Sequence, residues 1–221
     1  MSLRPSIKSA AKTAIRSMLP LPARKRLCVL ISRMKWLKEG RRNWWPTELL
    51  SDFAEKDING YHKFLWANHL SYAATYEPAL RFGEENMKES RRLFFSDLQG
   101  LIERMGIDPS REIESVFELG CSLGYQLRHI ETNLFPNASI LEGLDIDRYA
   151  IESGKKHLGG LGSKIELYCS DMESFEGVTG AKVYDIIICS GVLMYLSHDP
   201  AARLVGRMLK HTGKILAFAG L

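Results

Sequence analysis

Val116-Phe117-Glu118-Leu119-Gly120-Cys121-Ser122-Leu123-Gly124-Tyr125 decides how the second half of this 221-residue chain is read. An apolar run carrying one acid ends in two glycines that frame a tight turn before a helical stretch. Glycine lets the backbone bend sharply and lets a ligand approach with no Cβ in the way. A helix starting there points free N–H groups and the positive end of its dipole at that space, which suits a carboxylate. Alone, a G-x-x-x-G turn is equally a plain strand-to-helix connection, so its neighbours must decide.

Working outward, short apolar runs alternate with helical stretches from Ser115 on. The expected strands are 115–119, 139–144, 164–169, 184–189 and 213–219. Helices are expected at about 125–133, 149–158 and 200–210, and the segment between the third and fourth strands is shorter and ambiguous. Strand, helix, strand at this spacing means parallel pairing through right-handed crossovers. The fold class is therefore α/β, a Rossmann-like, open, mostly parallel sheet preceded by an N-terminal helical region. In such sheets the ligand sits beyond the carboxyl ends of the strands.

The candidate site residues do follow strands. The second strand ends in Gly143-Leu144-Asp145-Ile146-Asp147. An acid at that distance from the glycine turn can accept hydrogen bonds from the two hydroxyls of a ribose; Asp147 suits the cap of the next helix. The third strand ends at Asp171-Met172, where a carboxylate can accept from an exocyclic adenine amine and the thioether offers the base an apolar edge; a plain turn residue is the competing reading of Asp171. The fourth strand, Tyr184-Asp185-Ile186-Ile187-Ile188-Cys189, has the continuous apolar core of a strand buried on both faces, and places Ser190 and Gly191 at the open end.

Together these strand ends resemble the class I S-adenosylmethionine (SAM) dependent methyltransferases. The glycine turn is similar to that family's acid-x-Gly-x-Gly-x-Gly motif with Glu118 as the acid, and residues 184–196 and 209–216 look like its fourth and fifth motifs. The resemblance covers about residues 112–221 and implies a SAM site built from Glu118, Gly120, Cys121, Ser122, Gly124, Asp145, Ile146, Asp171, Met172 and Ser190. Departures from the pattern are Ser122 at the middle glycine, Tyr195 where many relatives carry His, and His211-Thr212-Gly213 for Pro-Gly. Without Asn/Asp-Pro-Pro-Tyr after the fourth strand, nucleic-acid bases are disfavoured as acceptors. The family's sixth and seventh strands are not found before Leu221, so an apolar fifth strand is expected at a sheet edge, where it invites pairing with another chain and suits a homodimer.

Methyl transfer from a sulfonium is an in-line displacement needing mainly proximity and alignment, with a base only where the acceptor must lose a proton. Tyr195 and His198 are weak candidates for that base; each is also readable as structural. A small-molecule, lipid or glycan acceptor is expected. The rivals are a nicotinamide dehydrogenase, which usually carries G-x-G-x-x-G, and a non-catalytic SAM-binding or membrane- or partner-docking module. No metal site is expected, because His62, His69 and His157 lack ligand spacing.

The first half differs in charge. Residues 1–46 carry twelve Lys/Arg and one acid, although the whole chain is only +4. Leu27, Leu30, Ile31, Met34 and Leu37 recur at helical spacing among Arg26, Arg33, Lys35 and Lys38, with Trp36, Trp44 and Trp45 nearby. This amphipathic arm is open to three readings: packing on the protein's own body, a membrane surface, or an acidic partner such as nucleic acid. The expected organisation is a basic arm (1–46), a helical lid or cap (47–110) with Tyr72, Tyr76, Arg81 and Phe82 as lid residues, and the SAM-binding domain (111–221). Helix breaks are expected at Asn59-Gly60, Pro78, Gly83 and Gly106. The cysteines Cys28, Cys121, Cys169 and Cys189 form no CxxC pair and are expected as small buried hydrophobes in a reducing compartment. With no secretory signal and no apolar run long enough to span a bilayer, a cytoplasmic chain, peripheral at a membrane through its arm, is expected.

Overall fold

The computed structural model describes residues 16–33, 49–70 and 87–220. The chain divides into two compact units, Met1–Thr75 and Tyr76–Leu221. The lid residues Tyr72, Tyr76, Arg81 and Phe82, the expected breaks at Pro78 and Gly83, and Met34, Lys35, Trp36, Leu37, Lys38, Trp44 and Trp45 of the arm lie outside the described residues.

The first unit contains α1 (Leu21–Arg33), α2 (Ser51–Lys56) and α3 (Ile58–Ala67). Leu27 and Cys28 of α1 pack with Leu49, Leu50, Phe53, Tyr61 and Leu65, so part of the apolar stripe read from the sequence is used inside this unit; Leu30 stays exposed. Two of the arm's cations also turn inward. Arg24 is buried, donates to Leu49 O at 2.6 Å and grips both carboxylate oxygens of Asp52 at 2.5 and 2.8 Å. Lys25 Nζ sits 3.7 Å from the centroid of the Phe53 ring, a cation–π contact. The break expected at Asn59-Gly60 is corrected: both residues are inside α3, and the break falls at Asp57. Asp57 caps the helix by accepting from Gly60 N at 2.8 Å, and a Cβ on Gly60 would lie 2.1 Å from Asp57 Oδ2. That glycine starts a helix rather than ending one.

The second unit opens with α4 (Glu89–Arg104) and the short α5 (Pro109–Glu112). Alternating strands and helices follow: β1 (Ser115–Leu119), α6 (Tyr125–His129), β2 (Ile140–Asp145), α7 (Arg148–Gly160), β3 (Glu166–Cys169), α8 (Phe175–Thr179), β4 (Tyr184–Ser190), α9 (His198–Lys210) and β5 (Thr212–Ala219). Among the described residues these five strands form one all-parallel sheet in the order β3-β2-β1-β4-β5. The helix expected to run on to about 133 stops at His129, and the chain widens into a π-turn over Ile130–Leu134.

Side chains alternate across each strand, and that alternation sorts the core into two layers. Val116, Ile186, Ile188 and Ile215 meet α4, α6 and α7 through Phe95, Leu98, Ile102, Leu127, Ile151 and Leu158. Phe117, Leu119, Ile187 and Cys189 meet α8 and α9 through Phe175, Leu204 and Met208. Burial on both faces explains the isoleucine run at 186–188, each 0% exposed. Each fully buried side chain of this kind contributes about 1.5–3 kcal/mol. The strand order reverses between β1 and β4, which opens a crevice at their carboxyl ends.

Cys28, Cys121 and Cys189 are buried, but Cys169 is exposed, against the expectation that it is a core residue. It is the last residue of β3, an edge strand, so its side chain emerges at the open rim.

Candidate functional site

The rim at the carboxyl ends of β1, β2, β3 and β4 is tied together by backbone. Gly120 N and Cys121 N both donate to Leu144 O, at 2.8 and 3.0 Å, which joins the glycine turn to the end of β2. Ser170 N donates to Asp145 O at 3.0 Å, which joins β3 to the same place. On the other side, a Cβ on Gly120 would lie 2.1 Å from Val192 Cγ2, so the chain leaving β4 packs directly on the turn. Gly120 and Gly124 both have φ +78°, and Ser122 between them has φ +52°. The turn is thus left-handed at three alternate positions, one of them a serine.

Asp145 ends β2 half-buried in this rim. Its Oδ2 accepts from Ser122 N at 2.9 Å and its Oδ1 from Asp147 N at 2.8 Å. A carboxylate has acceptor capacity beyond two such bonds, so it can also receive the hydroxyls of a diol. Burial pushes its pKa up to about 6 against the opposing pull of those backbone N–H groups. Asp147 takes the capping role, accepting from Ala150 N at 3.1 Å at the start of α7.

Glu118 lies below the turn and is 1% exposed. Gln126 Nε2 donates to its Oε1 at 2.6 Å. Among the described residues, Glu118 Oε2 and Gln126 Oε1 are buried acceptors without a partner. Burial pushes the Glu118 carboxyl up to about 8, while the Arg91 guanidinium on α4 and the Gln126 bond pull it down. A pKa raised that far favours the protonated carboxyl near neutral pH, and a proton on Oε2 removes one of these two unpaired acceptors. A cationic amine brought to the turn favours the ionised form instead. Arg91 also lies over Tyr125, its Cζ 5.2 Å from the ring centroid.

The remaining candidates are more local. Asp171 accepts from Glu173 N at 3.0 Å and caps the short 3₁₀ turn Met172–Ser174. Met172 is half-buried against the α8–α9 layer. Ile146 follows Asp145 on the rim, half-buried, and Ser190 ends β4, also half-buried. Tyr195 ends a 3₁₀ turn after β4, half-buried. The His198 side chain is 93% exposed and lies 3.1 Å from Asp199 at the start of α9. Bonds between neighbouring elements join Gly120, Cys121, Ser122 and Asp145 at the rim, with Glu118 bonded to Gln126, Gly124 closing the turn on Cys121 and Ile146 next in chain to Asp145; His198 points to solvent.

Gln126 and Arg91 were not singled out from the sequence. Gln126 had a faint signal, a polar residue on the buried first turn of the helix after Gly124. Arg91 had none, because it reaches the site from α4, a separate element.

The fold is a Rossmann-like α/β sheet of the methyltransferase kind, with glycine turn, acid after β2 and switch-point crevice in one place. Residues 117–217 match the family model described as a methyltransferase domain, a family that uses SAM. The fold is shared with coclaurine N-methyltransferase bound to N-methylheliamine and SAH, at 14% identity and a TM-score of 0.51, covering 97% of this chain and 64% of that one. Magnesium protoporphyrin IX methyltransferase from Synechocystis PCC 6803 matches at 12% identity and 0.47, covering 78% and 74%. PKMT2 from Rickettsia typhi, in complex with AdoHcy, matches at 23% identity and 0.41, covering 47% of this chain and 20% of that one. The chain therefore spans about a fifth of the length of that larger protein. No curated protein matches the sequence.

The residues present fit SAM. Gly120, Ser122 and Gly124 hold the turn on its left-handed course, Asp145 has acceptor capacity for a diol beyond its two backbone bonds, and Glu118 and Gln126 each bring a buried oxygen that has no partner among the described residues. Among the described residues no helix is long and apolar enough to cross a membrane, and no three His, Cys, Asp or Glu side chains are grouped to hold a metal ion.

Proposed function

We propose that the chain transfers the methyl group of SAM to a small-molecule acceptor, lipids and glycans included. The observation that carries this reading is Asp145, which holds the Ser122 end of the glycine turn at 2.9 Å while standing at the carboxyl end of β2. When bound, the cofactor supplies an already activated methyl group on a sulfonium.

The chain's residues bind and orient. Gly120, Cys121, Ser122 and Gly124 form the cradle for the methionine moiety, with Glu118 beneath it to balance the amine. Asp145 would receive the ribose hydroxyls, and Ile146 and Met172 would supply apolar edges for the base. Asp171 would accept from the adenine amine, and Ser190, at the end of β4, would serve the sulfonium end. Alignment of this kind supplies most of what a displacement of an activated group needs. His198, at 93% side-chain exposure, is poorly placed to take a proton inside a closed site; Tyr195, half-buried next to the end of β4, is the better-placed candidate base.

The basic arm supports an acceptor presented at an anionic surface, by the attraction of clustered lysine and arginine for it.

The test is calorimetric titration with S-adenosylhomocysteine (SAH), for wild type and Asp145→Ala. Micromolar binding abolished by the substitution is the expected result; a folded wild type that binds no SAH would sink the reading. Acceptor class then follows from methyl transfer to soluble metabolites compared with lipid vesicles carrying anionic headgroups.

A further inference from the structure

We propose that Arg207 is a positioning residue for the adenine end of the cofactor site, holding the Asp171–Ser174 turn in place by its backbone carbonyls. This rests on the reading of Asp171 and Met172 given above. Arg207 lies on α9, yet its Nη1 donates to Glu173 O at 2.9 Å and its Nη2 to Met172 O at 3.3 Å. The guanidinium is a rigid planar fork, so two of its donors sit at a fixed separation. Two successive carbonyls of a 3₁₀ turn meet that fork together, and charge-assisted bonds of this kind are stronger than neutral ones.

The surroundings orient the fork. Its Cζ is 5.8 Å from the centroid of Phe175, a ring that is 0% exposed. Glu176 Oε2 stands 3.8 Å from Nη1. The turn receives this support from a separate element. It follows β3, which pairs only with β2 among the described strands, and the Asp171 cap bond to Glu173 N lies within the turn itself. A carboxylate that must meet one amine on a base is held to the necessary precision only if its own backbone is fixed. Here the fixing group comes from the helix between β4 and β5, on the far side of the sheet's switch point. The position of the adenine acceptor is thereby tied to the element that follows the sulfonium end of the site.

The experiment compares SAH with S-inosylhomocysteine, which carries a 6-oxo group in place of the 6-amino group, by calorimetry on wild type, Arg207→Gln and Arg207→Lys. Wild type should prefer SAH. Arg207→Gln should weaken SAH about tenfold and bring the two ligands to nearly equal affinity, with thermal unfolding little changed. Arg207→Lys has one compact ammonium that reaches one carbonyl at a time, so it should fall between. It also keeps the charge and carries the same comparison if Arg207→Gln fails to fold. Wild-type discrimination in both variants would overturn the proposal, and so would an equal loss of affinity for both ligands, which marks a merely structural role. If wild type binds neither ligand, the cofactor reading itself falls and takes the proposal with it.

Discussion

Ser122 and Asp145 are joined by a hydrogen bond of 2.9 Å between the serine backbone N–H and the aspartate Oδ2. This bond makes Asp145 both a wall of the site and a strut of the glycine turn, and the two roles separate on substitution. Asp145→Asn keeps one carbonyl oxygen as an acceptor for the strut and loses the negative charge and part of the capacity for two hydroxyls. Asp145→Ala loses both. SAH affinity should fall about tenfold for Asn and at least about a hundredfold for Ala, each factor of ten corresponding to about 1.4 kcal/mol. Titration calorimetry reads both; equal affinities for the two variants would show that the diol contact, not the strut, carries the effect.

Ser122 itself is strained. Its φ of +52° puts a side chain where glycine is at ease, at a cost of about 1–2 kcal/mol. Glycine there lowers the strain but adds about 0.5–1 kcal/mol of unfolded-state entropy. Ser122→Gly should therefore stabilise the domain by a net of about 0.5 kcal/mol, measured as a shift in urea midpoint. Gly120→Ala should go the other way, because its φ is +78° and the new Cβ meets Val192 Cγ2 at 2.1 Å. Overpacking of that sort costs about 1–3 kcal/mol on top of the backbone strain. Loss of stability in Ser122→Gly would assign the serine hydroxyl a structural role of its own.

Glu118 makes stability depend on pH with a definite sign. Its carboxyl is raised from 4.5 to about 8 by burial, so between those values the folded chain holds a proton that the unfolded chain has released. Stability from this group is fully present below the unfolded pKa and is lost as pH rises through the folded one, at up to about 1.4 kcal/mol per pH unit. Asp145, raised from 3.8 to about 6, acts in the same direction over a lower window. Glu118→Gln removes the proton and should flatten the stability profile between about pH 6 and 8, leaving the variant more stable than wild type above pH 8. Urea unfolding followed by far-UV circular dichroism across that range is the measurement. An unchanged slope would mean that Arg91 keeps Glu118 ionised in the fold.

How much of this was readable in advance follows the range of the interactions. The glycine turn, the isoleucine run of β4 and the cap at Asp147 are written in neighbouring residues, so the parallel sheet was legible from spacing, while the candidate site residues were read from spacing together with the family resemblance. The strand order that places Asp145 against Ser122 follows from the parallel connections. What was not legible comes from elements distant in sequence. Arg91 reaches Glu118 from α4, and Arg207 reaches Met172 and Glu173 from α9. Cys169 looked apolar by its strand, but its exposure is decided by β3 lying at the sheet edge. Gly60 looked like a breaker because glycine usually is one, and only the Asp57 side chain shows that it begins a helix.

The buried arginine of the first unit gives the last prediction, and the chain carries its own probe for it. All four tryptophans, Trp36, Trp44, Trp45 and Trp66, fall within residues 1–75 of the sequence, with Trp66 on α3, so indole fluorescence is the probe for the first unit. Arg24 holds Leu49 O and both oxygens of Asp52, and the Arg24 bond holds the Asp52 carboxyl down at about 2. Because that pKa is depressed, the stability from the pair is present above the unfolded value of 3.8 and is lost as pH falls toward 2. Arg24→Gln leaves the Asp52 charge without its partner beside a buried carbonyl. Removing one member of a buried pair costs about 3–5 kcal/mol, and the solvent around the partly exposed Asp52 side chain reduces that to about 2 kcal/mol. The fluorescence transition in urea should shift to lower denaturant by that amount, while the far-UV signal of the sheet-bearing unit keeps its own midpoint. A common shift of both signals would show that the two units unfold together, and an unmoved fluorescence transition would mean that the Arg24 bonds contribute nothing net to the fold.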